Sequence, residues 1–238
     1  NGFHVTKEHA LAALDAAKPG PVAEGNVGGG TGMVCNQFKG GTGTASRQIT
    51  ILGTSYTVGV LVQCNYGGRA RLAVAGAPIG REIPDLLPCY ARLPDGSWAA
   101  EPHCETGAGE DTGDQGSIIV VVATDVPLLP HQLKRVVKRA ALGIGRMGGI
   151  GGDSSGDIFI AFSTANAGAE ASNQMVSVRA IPNERINPVF EAAIDATAES
   201  ILNAMLAAET MTGADGRRVY ALPHDRLLTA LRKYNLMP

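Results

Sequence analysis

The run Ser117-Ile118-Ile119-Val120-Val121-Val122-Ala123-Thr124 constrains this chain more than any other stretch. It carries no charge and is dominated by β-branched residues, which are stiff at χ1 and suit a pleated surface. Such a run reads as a buried strand. A second one, Thr57-Val58-Gly59-Val60-Leu61-Val62, is nearly all apolar and is expected to be covered on both faces. Further strands are expected at 45–52, 70–76, 157–163 and 175–181, the one at 157–163 buried, with the second run extending over 56–64.

Helices are expected around these strands. Residues 6–18 form an amphipathic pattern with Thr6 as N-cap, Leu11 and Leu14 on the apolar face, and Pro19-Gly20 as the stop. Pro130 opens another helix, with Leu133, Val136, Val137 and Ala140 inward and Gly143 at its end. Asn187-Pro188 starts a long helix to about residue 210, with Phe190, Ile194, Ile201 and Met205 inward, and a last helix covers roughly 223–234. Strands cluster while helices come singly or in pairs. That order predicts an α+β layered sandwich in a single domain over 1–238, rather than a repeating βαβ unit. Residues 77–116 lack periodicity and read as a long loop.

Composition narrows the function classes. The 20 basic and 22 acidic residues nearly cancel, which argues against a nucleic acid or an anionic membrane surface as partner. No apolar run is long enough to span a bilayer. The 31 glycines gather at 25–32, 40–43, 107–116 and 143–152, between strong apolar runs, as tight turns do and flexible linkers do not. Because the first residue is Asn1 rather than Met, the chain reads as a fragment or a processed piece. Cys35 and Cys64 lie in apolar stretches and are expected to be buried thiols, whereas Cys89 and Cys104 share one polar segment and form a candidate loop disulfide.

Several motifs match a pattern and fail on context. Gly143-Ile144-Gly145-Arg146-Met147-Gly148 fits the dinucleotide fingerprint, but it follows a helix instead of opening one. Gly152-Asp153-Ser154-Ser155-Gly156 fits the nucleophile elbow, but glycines precede it and a strand follows. A serine hydrolase built on Ser154 and His224 is therefore the weaker reading. His4, His9, His103, His131 and His224 show no metal-ligand spacing, so no metal or other cofactor is expected. Lys134, Arg135, Lys138 and Arg139 read as a solvated helix face.

The junction Asp114-Gln115-Gly116-Ser117 carries the chemistry. A serine at the head of a strand is held rigidly, and a glycine before it lets the peptide bond be approached closely. The Ser117 hydroxyl can attack the Gly116 carbonyl and form an ester that water splits. The freed α-amine, with an ordinary pKa of about 7.7, can then act as base for its own hydroxyl. Gly-Ser is a common dipeptide, and a plain loop-to-strand junction has the same layout.

Three long stretches resemble a known family: Glu24-Gly25-Asn26-Val27-Gly28-Gly29-Gly30-Thr31-Gly32-Met33, Gly116 through Pro130, and Ser155 through Asn166. They are similar to the L-aminopeptidase/D-esterase family, which includes the β-peptidyl aminopeptidases. The resemblance implies a four-layer αββα sandwich of the N-terminal-nucleophile type. It also implies a precursor cut between Gly116 and Ser117, so that 1–116 belongs to an α piece and 117–238 forms the β piece. Ser117 would be the nucleophile. Ser155 and Asp157 match the supporting serine and acid, the latter often glutamate in the family, and Asn65 matches the asparagine that donates to the oxyanion. Family members carry more chain upstream, including a site tyrosine. The resemblance also implies oligomers of processed αβ units acting on small peptides, amides or esters with a free amine. Within the 77–116 loop, Glu101, Glu105, Glu110, Asp111 and Asp114 are expected to be solvated, with shaping of the substrate entrance as the alternative. Two other functions remain open: acyl transfer to an amine on the same fold, and an assembly or binding module that never cleaves.

Overall fold

A four-stranded sheet forms the centre of the molecule, with helices against one face. The structure, a computed structural model, describes residues 2–92, 98–103, 116–171, 173–213 and 216–237. In chain order its elements begin with helix α1 (Lys7–Asp15), the short strands β1 (Val34–Cys35) and β2 (Phe38–Lys39), and the long strands β3 (Gly41–Ile51) and β4 (Thr54–Asn65). After α2 (Ile79–Glu82) and the hairpin β5 (Tyr90–Arg92) and β6 (Trp98–His103) comes β7 (Ser117–Thr124). Helices α3 (Pro130–Val137) and α4 (Ala140–Arg146) lead to β8 (Ile158–Ser163), then to α5 (Asn187–Leu206), the two-residue strands β9 (Met211–Thr212) and β10 (Arg218–Val219), and α6 (His224–Lys233).

The sheet order is β3-β4-β7-β8. β3 and β4 form an antiparallel hairpin, β7 is antiparallel to β4, and β8 is parallel to β7. The parallel pair requires a crossover, which α3 and α4 supply. Ile118, Val120 and Val122 point into the core with Val58, Val60 and Val62. Helix α5 covers this face with a row of small residues (Ala192, Ala193, Ala196, Ser200 and Ala204), all buried. It is pinned where Ser200 Oγ donates to the Val60 carbonyl at 3.2 Å and Asn203 Nδ2 to the Thr44 carbonyl at 2.8 Å.

Small residues allow helix and sheet to meet backbone to backbone. A Cβ at Gly43 would lie 2.0 Å from the Ser200 carbonyl oxygen and 2.6 Å from the Ala204 nitrogen. Neither backbone atom can yield without moving α5 off the sheet. Gly43→Ala is therefore expected to destabilise the fold by about 1–3 kcal/mol, as overpacking does. Denaturant unfolding measures it through a lower midpoint at unchanged slope.

The opposite face of the sheet is open among the described residues. Ile119, Ile158, Ile160 and Phe162 are 37%, 53%, 52% and 46% exposed. An αββα sandwich covers that face with a second sheet; the described residues supply one helix layer and one sheet layer. This corrects two expectations. The 57–62 run alternates between buried Val58, Val60 and Val62 and half-exposed neighbours instead of being covered on both faces, and β8 is likewise exposed on one side.

Other departures have local causes. Residues 70–76 form a short 3₁₀ turn at Arg69–Arg71 and a single bridge between Val74 and Ala77 instead of a strand. Residues 175–181 contain no strand, since Met175, Val176 and Val178 are exposed and have no pairing partner. The helix expected from Pro130 to Gly143 is broken in two because the Arg139 N–H turns back to the Val136 carbonyl, three residues away, at 2.9 Å. Helix α1 forms, but Leu11 and Leu14 are 49% and 74% exposed, so its apolar side meets no core. Two of the four basic residues of α3 and its C-terminal flank do more than face solvent: the Arg139 guanidinium lies 3.9 Å from the Phe190 ring centroid and that of Arg135 lies 5.3 Å away.

Cys35 and Cys64 are fully buried, as expected, but they are joined as a disulfide instead of remaining thiols, with Cα atoms 5.5 Å apart. The β1–β2 hairpin folds over the end of β4 and brings them within bonding range. Cys89 is also held in a disulfide. Its expected partner Cys104 lies outside the described residues, as do Glu105, Glu110, Asp111, Asp114 and the side chain of Glu101.

Candidate active site

The site is built where β4 ends and β7 begins. Because the two strands are antiparallel, the last residue of one faces the first of the other, and the register pairs Asn65 with Ser117. Both side chains are half-buried, as are Ser155 and Asp157. Gly116 precedes the strand with φ +112°, a backbone region that L side chains rarely adopt. A Cβ there would lie 2.1 Å from the Asn65 carbonyl oxygen and 3.3 Å from Asn65 Nδ2. The Gly116–Ser117 junction thus sits directly on Asn65, in a place only glycine fills.

β8 brings the other two groups. Its parallel pairing with β7 starts at Ile119 and Ile158, which sets the segment before β8 beside the head of β7. Asp157 Oδ1 accepts from the Ile118 N–H at 3.0 Å and from the Ser155 hydroxyl at 2.6 Å. The Gly156 N–H donates to Ser117 Oγ at 2.9 Å. Ser117 Oγ therefore accepts from a fixed backbone donor while its own proton stays available. Asn65 is oriented from the other side: its Oδ1 accepts from the Val34 N–H at 2.9 Å, which leaves Nδ2 to face the junction.

Ser117, Ser155, Asp157 and Asn65, drawn from three separated stretches of chain, thus meet at the head of β7. Two backbone donors, Gly156 N–H and Val34 N–H, complete the arrangement; a backbone N–H has no residue-type signature, so neither was legible beforehand. Ser154, next to Ser155, is exposed. Gly143 and Gly145 lie within α4, which rules out a phosphate-binding turn there. His224 is exposed, with its Nε2 2.9 Å from the Leu206 carbonyl oxygen. No group of three His, Cys, Asp or Glu side chains among the described residues is arranged to hold a metal ion.

A serine heading a central strand, with a carboxamide across from it and a carboxylate beside it, is the layout of an N-terminal-nucleophile hydrolase fold. The chain belongs to peptidase family S58, whose family model matches residues 1–219. It is 54% identical over 235 residues to the β-peptidyl aminopeptidase BapA of Sphingosinicella microcystinivorans, covering 98% of this chain and 58% of that protein. It also superposes with a TM-score of 0.81, at 42% identity, on the L-aminopeptidase D-Ala-esterase/amidase of Ochrobactrum anthropi, a variant of the N-terminal-nucleophile hydrolase fold; the match covers 99% of this chain and 60% of that one. The PH0078 protein of Pyrococcus horikoshii matches with a TM-score of 0.81 at 40% identity, over 97% of this chain and 58% of its own. The chain thus spans about 58% of the length of the relatives it matches.

Proposed function

We propose that this chain is the processing and catalytic region of a serine aminopeptidase that cuts itself between Gly116 and Ser117. The observation that carries this reading is the pairing of Ser117 with Asn65 across β4 and β7, with Gly116 pressed against Asn65. Ser117 Oγ attacks the Gly116 carbonyl carbon, the C–N bond breaks, and the acyl group passes to oxygen as an ester. The Ser117 hydroxyl proton passes to the Ser117 nitrogen, which leaves as a primary amine, and water hydrolyses the ester. Residues 1–116 then end in a carboxylate, and the 117–238 piece begins with a free amine.

In turnover the amine takes the Ser117 hydroxyl proton as Oγ attacks the carbonyl of a substrate's first residue. Asn65 Nδ2 donates to the oxyanion as the carbonyl becomes tetrahedral. The amine returns its proton to the leaving group, and water releases the acyl residue from Ser117. Asp157 holds the first peptide of β7 through Ile118 and keeps Ser155 beside it, which fixes the strand head on which the amine sits. The substrate class is a short peptide, amide or ester with a free N-terminal amine, consistent with the aminopeptidases the chain resembles.

Intact mass and N-terminal sequencing of the purified full-length protein test the first half of this reading. A fragment beginning Ser-Ile-Ile-Val-Val is the expected result; a single uncut chain without that fragment counts against it. Product analysis with and without an added amine separates hydrolysis from acyl transfer, and free amino acid as the main product is the expected outcome.

A further inference from the structure

Lys39, at the end of β2, is 2% exposed. Lysine is rarely buried without a partner. Among the described residues this one forms no ion pair. Its ammonium donates instead to three backbone carbonyls: Gly30 at 3.2 Å, Gly40 at 2.9 Å, and Met33. Three N–H donors meet three acceptors, a match that only the charged form makes, since the neutral amine has two N–H groups. Burial lowers its pKa to about 8, so the ammonium still predominates at neutral pH.

The Met33 carbonyl is one end of a peptide group whose other end is the Val34 N–H. That N–H is the donor that orients Asn65, at 2.9 Å from Oδ1. A continuous series therefore runs from the Lys39 ammonium through the 33–34 peptide to the Asn65 carboxamide, and from there to Nδ2 at the Gly116–Ser117 junction. Hydrogen bonds in series polarise one another in a low-dielectric site. A cation on the Met33 oxygen makes the Val34 N–H a stronger donor, and a stronger donor on Oδ1 makes Nδ2–H a stronger donor in turn. Arg69, the other buried cation, has no such link. It ties the carbonyls of Asn36, Gln37, Ile83, Asp85 and Leu86 together and stacks on Phe38.

We propose that Lys39 is a positioning residue for the reaction: through the Met33–Val34 peptide it aims the Asn65 carboxamide at the substrate carbonyl and strengthens it as an oxyanion donor. This rests on the oxyanion role proposed for Asn65. Lys39→Met keeps the length of the side chain and removes the charge. The Gly30 and Met33 carbonyls each retain a backbone donor, Met33 N–H at 3.1 Å and Gly40 N–H at 3.2 Å, so the variant is expected to fold.

The test is a double-mutant cycle in the full-length processed enzyme, reading kcat and KM on a chromogenic aminoacyl anilide. Lys39→Met is expected to lower kcat about tenfold at unchanged KM in the wild-type background, and less than about twofold in an Asn65→Ala background. Equal losses in both backgrounds mean that Lys39 does not act through Asn65 and overturn the proposal, as does an unchanged kcat in the wild-type background. If Asn65→Ala alone leaves kcat intact, the oxyanion reading itself is lost, and the proposal goes with it. Should Lys39→Met not fold, the Asn65 side-chain amide signal is followed by NMR in the uncut Ser117→Ala protein, where residue 117 has no free amine. A shift with a midpoint at about pH 8 is expected from Lys39; a signal unmoved through that range overturns the proposal.

Discussion

Replacing Ser117 with alanine is expected to leave one uncut chain and to lower kcat by about 10⁴-fold or more, since the proposed mechanism routes the acyl group through the Ser117 hydroxyl. At about 1.4 kcal/mol per tenfold, that is over 5 kcal/mol of transition-state stabilisation. On the proposed mechanism two losses coincide. The hydroxyl that opens the Gly116–Ser117 bond is gone, and without that step residue 117 never acquires the free amine that serves as base. Folding is expected to survive, because Ser117 is half-buried at the end of a strand and its Oγ accepts a single backbone N–H, from Gly156. Intact mass and steady-state rates on full-length protein check both losses. The informative control is Ser154→Ala, which removes the serine of the elbow-like motif and is expected to process and turn over normally. A processed Ser117→Ala protein, or an inactive Ser154→Ala protein, assigns the nucleophile elsewhere.

Asn65 carries the second large effect. Asn65→Ala is expected to lower kcat by about 10²- to 10³-fold with little change in KM, the usual cost of one lost oxyanion donor. Asn65→Asp gives a sharper result. Aspartate keeps the shape and can still accept the Val34 N–H, but it turns a carboxylate oxygen, in place of an N–H donor, toward the developing negative charge. The expected order of kcat is therefore Asn above Ala above Asp, with self-processing following the same order. If Asp matches or exceeds Ala, Asn65 is a structural residue and the oxyanion donor lies elsewhere. Removing the acceptor for Val34 N–H in Asn65→Ala is expected to cost about 1 kcal/mol of stability, too little to account for the loss of rate.

Much of this molecule was legible in the residues themselves. The β7 strand was readable to its ends, because an uncharged β-branched run between a glycine and an acid has few other options. The α5 helix and its proline start were readable for a similar reason, and the family of the chain was carried by its long glycine-rich and strand motifs. Short-range signals failed where pairing decides the outcome. Residues 175–181 have a strand-like pattern, but a strand exists only beside another, and none is offered there. Cys35 and Cys64 are separated by 29 residues, and no spacing rule anticipates that the β1–β2 hairpin folds over the end of β4 and joins them.

The sequence by itself determined which residues are candidates for the chemistry: a serine after a glycine at the head of a buried strand, an asparagine at the end of another, and a serine and an aspartate two residues apart. Only the tertiary structure decided that they meet. Antiparallel registry of β4 and β7 sets Asn65 against Ser117, parallel registry of β8 brings Asp157 and the Gly156 N–H alongside, and a backbone N–H at Val34 turns the Asn65 amide toward the junction. Strand registry and backbone donors are properties of paired chains, set by hydrogen bonds between segments far apart in sequence, and a linear string of residue types does not encode them locally.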